Sequence, residues 1–313
     1  MNIYVSGSLA YDRLMRFAGA FEDNLLPDKL HMLNVCFFIE DMELKRGGTA
    51  GNIAYTLALL GEKPLVLSAA GKDFGLYEAA LKRLKLSRQG IRLVPEDMTA
   101  SAFIITDKNN NQITAFAPAA MRQSCLAAFS VPPGEAIAIV SPGNMDDMVA
   151  LPRLYRERGI RYIFDPGQQI PALSGQQLCE ALEGAFVCIT NEYELDLLLG
   201  RTGLSKRELC ARVEWLVTTR GGQGSLLYGA EEAEIAAVAP EQVLDPTGAG
   251  DAYRAGLIKG LCAALPMREA AQLGALCATY CVECQGTQEH SFTRRDLLAR
   301  YKRHFGAFSC KVF

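Results

Sequence analysis

Residues 245–256 read DPTGAGDAYRAG, a glycine-rich turn that leads directly into an apolar stretch of helical spacing. A turn of this kind at a helix start leaves backbone N–H groups unpaired at the positive end of the helix dipole, with no side chains to block close approach. The amides of Gly248, Ala249 and Gly250 therefore make an anion site, and phosphate fits it. Asp251 lies within this turn. A carboxylate there could simply cap the helix; beside a bound phosphate it suffers repulsion unless it takes a proton from a substrate, which is the work of a general base.

Other phosphate-binding patterns fail on inspection. The Walker pattern GxxxxGK[ST] would need glycine at Val66 and Ser or Thr at Asp73 around Gly71-Lys72. A GxGxxG fingerprint would need glycine at Tyr253 after Gly248 and Gly250. No HRD tripeptide accompanies Asp73-Phe74-Gly75, so the protein-kinase set fails too.

The elements that must position Asp251 follow from the hydrophobic periods. Apolar runs of strand length occur at 2–7, 64–69, 136–141, 160–164, 185–190 and 215–219. Helical spacing falls at 50–60, 74–86, 146–158, 191–199, 205–213, 249–264, 267–283 and 293–304. Strand and helix in alternation predict an α/β fold, a mostly parallel central sheet between two helical layers. Residues 10–46 and 98–117 break the rhythm. A turn cluster at Asp107–Asn111 separates AFIIT from QITAF, and together with a strand expected at 33–40 these predict a small β-sheet lid. The large domain then comprises 1–9, 47–97 and 118–313.

The strands end in polar or glycine-rich turns: Ser6-Gly7-Ser8, Gly71-Lys72-Asp73, Ser141–Asn144, Asp165–Gln169, Asn191–Glu194 and Thr219–Gly222. In an open parallel sheet the carboxyl ends share one edge, where ligands bind.

Composition sets outer limits. Half of the 313 residues are apolar, 21% are charged and the net charge is −3, which suits one large core and gives no basic field for a nucleic acid. No apolar run approaches the ~20 residues of a membrane span. MNIYVSGSLAYD reads as a first strand rather than a signal peptide, so a cytoplasmic location is expected. The ten cysteines are scattered through apolar stretches and read as reduced; Cys277, Cys281 and Cys284 share one helix face and read as core rather than as a zinc site.

Taken together, DPTGAGDAYRAG at 245–256 and RGGTAGNIA at 46–54 resemble, in order and separation, the two signatures of the PfkB (ribokinase-like) small-molecule kinases. TNEYELDLLL at 190–199 and TRGGQG at 219–224 are similar to that family's Asn-x-x-Glu and nucleotide-loop motifs. The segment GSLAYDRLMRFAGAFEDNLLPDKLHMLNVCFFIED at 7–41 resembles the opening of bacterial adenosine kinases within the family, as do DPGQQ and GTQE.

The resemblance implies a three-layer ribokinase-like fold and transfer of phosphate from ATP to the 5′-hydroxyl of adenosine, a purine-salvage reaction. It implies Asp251 as the base, with the amides of Gly248, Ala249 and Gly250 around the phosphoryl group. Ser8, Asp12, Gly48 and Asn52 would hold the nucleoside, Phe103 and Phe116 would together cover the purine, and Gln168 or Gln169 would approach its polar edge. Asn191, Thr219, Gly221, Gly222, Gly224 and Gly248 would carry ATP; Glu194 and Asn191 would reach Mg²⁺ through water. A monovalent cation such as K⁺ and a homodimer through the lid are further expectations. Each residue also has a structural reading: Asp12 and Asn52 as caps, the two phenylalanines as lid core. A sugar kinase acting on ribose or fructose and a non-catalytic purine-nucleoside sensor stand as alternatives.

Overall fold

Strand and helix alternate along the chain and assemble into a nine-stranded sheet with helices on both faces. The structure is a computed structural model and describes residues 1–25, 27–32, 34–127 and 135–313. In chain order the strands are β1 (Asn2–Ser6), β2 (Ala10–Phe17), β3 (Ile39–Gly47), β4 (Leu65–Gly71), β5 (Ile91–Val94), β6 (Ala100–Thr106), β7 (Gln112–Ala117), β8 (Ala136–Val140), β9 (Arg161–Phe164), β10 (Val187–Asn191), β11 (Trp215–Thr219), β12 (Ser225–Tyr228) and β13 (Glu232–Ile235). The helices are α1 (Thr49–Leu59), α2 (Gly75–Arg83), α3 (Met145–Glu157), α4 (Gly175–Leu182), α5 (Glu192–Thr202), α6 (Lys206–Cys210), α7 (Ala249–Cys262), α8 (Met267–Val282) and α9 (Arg294–Phe305).

The large sheet has the order β13-β12-β11-β10-β9-β8-β1-β4-β5; its strands run parallel except β12 and β13, which close one edge antiparallel. Two helical layers explain why β8 reads AIAIV without polar alternation: both of its faces are buried. The period of two still decides the partners. Ile3, Val5, Ile137 and Ile139 pack toward α1, α7 and α8, whereas Tyr4, Ala138 and Val140 join the core with Leu151, Leu178 and Leu198 of α3, α4 and α5. Cys277 and Cys281 lie buried on α8, as core; Cys284 is only half-buried. Asp73-Phe74-Gly75 leads into α2: Asp73 Oδ1 accepts the Thr99 N–H at 2.7 Å and Phe74 stacks on Tyr77. Among the described residues no helix is long and apolar enough to cross a membrane.

The six strands expected for the large sheet coincide with β1, β4 and β8–β11 within two residues. The helix α4 and the strands β5, β12 and β13 were not anticipated. They are short, at eight residues for α4 and four for each strand, too brief for a period to show. Yet Ser174 and Gln177 form a full capping box at the start of α4, a local signal that was legible.

The segments that break the rhythm form a second sheet of order β3-β2-β6-β7, antiparallel at both edges and parallel between β2 and β6. The strand expected at 33–40 is corrected to Ile39–Gly47; Leu33 lies outside the described residues. Phe37 instead packs against Phe17 and Phe21, with ring centroids 5.0 and 5.2 Å away. Aromatic content there marked a side-chain cluster, while the charged run EDMELKR forms most of the strand.

Candidate active site

The glycine turn opens α7 as the sequence suggests. Gly248 is the N-cap with φ +79°, a left-handed conformation that side chains rarely tolerate, and Asp251 stands in the first helical turn. The Ala249 N–H turns back to the Pro246 carbonyl at 3.2 Å, so that amide is already engaged. This corrects the expected trio of Gly248, Ala249 and Gly250. The amides of Gly248, Gly250 and Asp251 meet no acceptor among the described residues and lie at the positive end of the helix.

Asp251 is held from α1, where Asn52 Nδ2 donates to its Oδ2 at 2.8 Å. Burial pushes the Asp251 carboxyl up to about 7, against the pull of Arg254 and the Asn52 hydrogen bond; Asp165 and Asp12 add to the rise. Arg254, one turn along α7, is buried and clamps Asp165 in a two-pronged pair, Nε to Oδ2 at 2.5 Å and Nη2 to Oδ1 at 2.6 Å. That pair locks the carboxyl end of β9 against the second turn of α7, fixing the helix on which Asp251 rides.

Asp12 approaches from the second sheet. It sits on β2 directly over Gly47, where any side chain would strike its carboxylate. Burial and the negative charge of Asp245 push it up to about 6. Asp12 lines a cavity of about 790 Å³ between the second sheet and the turns 244–247 and 285–287. Asp245 braces those turns against each other by accepting the Thr247 N–H at 2.9 Å and the Gly286 N–H at 3.0 Å.

Strand register settles the two phenylalanines. Asp12 pairs with Ala102 and Ala102 with Phe116, so Asp12 and Phe116 share the cavity-facing side of the sheet, about 10 Å apart across two strand spacings. Phe103 pairs with Arg13 and Ala115, lies on the opposite face and carries the Arg13 guanidinium 5.5 Å from its ring centre. The expectation that both rings cover one base is therefore corrected: successive positions on a strand face opposite ways, and 103 and 116 are offset by one register step.

The remaining expected nucleoside residues are more structural in placement. Ser8 Oγ accepts the Thr49 N–H at 3.0 Å and helps secure the start of α1. Gly48 caps α1 with φ +88°, and Asn52 lies buried within it. Gln169 leans toward the Gly143 carbonyl at 3.4 Å, and Gln168 is exposed. Asn191 and Glu194 form a reciprocal capping box on α5, each side chain accepting the other's N–H at 2.8 Å. Burial still raises the Glu194 carboxyl, which feels Asp165 and Arg254. The capping box engages Glu194 Oε2 and leaves Oε1 free, a donor set suited to a hydrated ion held mainly by other ligands; among the described residues no three His, Cys, Asp or Glu side chains gather as a metal cage. Thr219 ends β11, and Gly221, Gly222 and Gly224 shape the tight turn into β12.

A model of the pfkB family of carbohydrate kinases matches residues 10–294. This chain belongs to that family. A nucleoside kinase of Methanocaldococcus jannaschii is 31% identical over 82% of this PfkB chain and 86% of its own length. A nucleoside kinase of Burkholderia thailandensis, solved with inosine, is 36% identical, covers 98% of this chain and 99% of its own, and superposes with a TM-score of 0.87. The structure of the Methanocaldococcus jannaschii enzyme superposes with a TM-score of 0.86 at 27% identity. These relatives are nucleoside kinases rather than adenosine kinases by name. The three-layer ribokinase-like fold is that of this family, and the chain is a kinase.

Several site residues of this PfkB kinase escaped sequence reasoning. Arg254 could have been found, since a charge three residues after Asp251 in a largely apolar helix faces the same side. Arg46 and Gln288 fall inside the quoted segments RGGTAGNIA and GTQE, but their roles, like that of Tyr77, depend on contacts between α1, α2, β3 and the 286–289 turn.

Proposed function

We propose that this kinase transfers the γ-phosphoryl group of ATP to the 5′-hydroxyl of a purine nucleoside, adenosine among them, with Asp251 as general base. The observation that carries the reading is Asp251 at about 7, beside helix-start amides that lack acceptors. A base with a pKa near the working pH combines a large ionised fraction with a strong tendency to take the hydroxyl proton. The free amides and the helix dipole face the charge that develops on the transferring group. Mg²⁺ bound to ATP would neutralise phosphate charge, and Glu194, with Asn191 beside it, would hold that ion through water. Asp12, ionised above about pH 6, would accept hydrogen bonds from ribose hydroxyls, and Phe116 offers the base a ring on the same face.

A nucleoside rather than a free sugar is supported by the two nucleoside-kinase relatives and by the inosine in the Burkholderia complex. The cavity is also within the ~300–1,000 Å³ of small-molecule sites and roomy for a pentose alone. The test is a panel of adenosine, inosine, ribose and fructose with ATP, products identified by NMR. A purine nucleoside should exceed ribose in kcat/KM by about tenfold to a hundredfold, the worth of stacking one base. Ribose as the better substrate would refute the nucleoside reading, and tight adenosine binding without phosphate transfer would favour the sensor.

We further propose that the outer face of the second sheet pairs with a second copy. Met42 and Ile113 lie in one cross-strand row and Leu44 and Phe103 in the next, and all four are exposed. Sedimentation should show a dimer that Phe103→Glu with Leu44→Glu converts to a monomer; a wild-type monomer at micromolar concentration contradicts the proposal.

A further inference from the structure

Beneath Asp251 runs a chain of hydrogen bonds whose direction is fixed from its far end. Arg46 Nε donates to Gln288 Oε1 at 3.3 Å, and an arginine can only donate, so the oxygen of the Gln288 amide must face it. Tyr77 Oη donates to the Gly47 carbonyl at 2.8 Å, which leaves its oxygen to accept from Gln288 Nε2 at 2.7 Å. Both neighbours thus impose the same orientation on Gln288. Its Nε2 also donates to Asn52 Oδ1 at 3.0 Å, so Asn52 must turn its Nδ2 the other way, onto Asp251 Oδ2 at 2.8 Å. Gln288, Tyr77 and Asn52 are all buried, and in such surroundings hydrogen bonds are electrostatically stronger than in water.

We propose that Gln288 is a positioning residue: it sets the amide of Asn52 so that Asn52 is a donor to the catalytic carboxylate. The chain begins on β3, at Arg46 and Gly47, so it ties the second sheet to the base. Without this constraint Asn52 could present its oxygen to Asp251, which would oppose ionisation. The inference rests on Asp251 being the base.

The test is a double-mutant cycle read by the pH dependence of kcat/KM. In Gln288→Glu the donor to Asn52 is lost and an acceptor appears, so Asn52 turns its Nδ2 toward position 288. The added charge also acts on Asp251 directly, as Arg254, Asp165 and Asp12 already do. Asn52→Leu isolates that direct effect because it has no amide to turn. The base inflection should therefore rise further on Gln288→Glu in the wild-type background than in Asn52→Leu, by about one pH unit, the size of a hydrogen bond to a charged group. Equal rises in the two backgrounds overturn the proposal. Should Gln288→Glu fail to fold, Gln288→Met should give a smaller rise in the same direction, and an unchanged profile in that folded variant overturns it. Failure of the base assignment itself is read separately, as activity retained in Asp251→Asn.

Discussion

Replacing Asp251 by Asn should stabilise the protein at alkaline pH. The Asp251 carboxyl is pushed from 3.8 to about 7, chiefly because burial disfavours its charge. The folded state therefore holds a proton that the unfolded chain releases between about pH 4 and 7, so stability falls as pH rises through that window and stays reduced above it. At 1.36 kcal/mol per decade the full displacement corresponds to at most about 4 kcal/mol. The side chain keeps partial solvent contact, and Asn must itself be desolvated, which brings the expected gain of Asp251→Asn at pH 8 to ~1–3 kcal/mol. Asn can still accept from Asn52 Nδ2, so the local hydrogen bond survives. The assay is urea unfolding of both proteins from pH 4 to 8 with m-values compared. The advantage of the variant should grow between pH 4 and 7 and then level off. A difference that does not vary with pH, or a variant less stable at pH 8, would refute the claim that a buried carboxylate is held there against its own desolvation.

Asp12→Asn should raise nucleoside KM more than it lowers kcat, and the free-enzyme pH profile should lose an inflection near 6; an unchanged profile would remove Asp12 from the site. Phe116→Ala should lower kcat/KM for purine nucleosides by about tenfold to a hundredfold while Phe103→Ala has little effect on a monomeric background, since the two rings face opposite ways. Similar losses from both would contradict the register argument. Glu194→Gln should raise the Mg²⁺ concentration for half-maximal activity with little change in nucleoside KM, whereas a purely capping role predicts only a small drop in Tm.

What could be read from the sequence follows the range of the interaction. The parallel sheet was legible because β1, β4 and β8–β11 are largely buried on both faces and appear as mainly apolar runs. The start of α7 was legible because a glycine turn and its helix are one local unit. The sidedness of Phe103 and Phe116 was not, because it depends on pairing between β2, β6 and β7 rather than on either residue's own strand. Gly248, Ala249 and Gly250 looked equivalent as anion ligands, yet a turn hydrogen bond to Pro246 separates Ala249 from the others. The contacts of Gln288 were out of reach, for its partners Tyr77, Asn52 and Arg46 lie 211 to 242 residues away in sequence.

The central claim, that Asp251 accepts the substrate proton, is tested most directly by measuring kcat and nucleoside affinity together on Asp251→Asn. Asn preserves size, polarity and the hydrogen bond from Asn52, so the fold and affinity should persist while kcat falls by about 10² to 10⁴, the usual worth of a general base. A kcat within about threefold of wild type, below the low end of that range, with affinity intact, would contradict the assignment and leave Asp251 as a structural partner of Asn52.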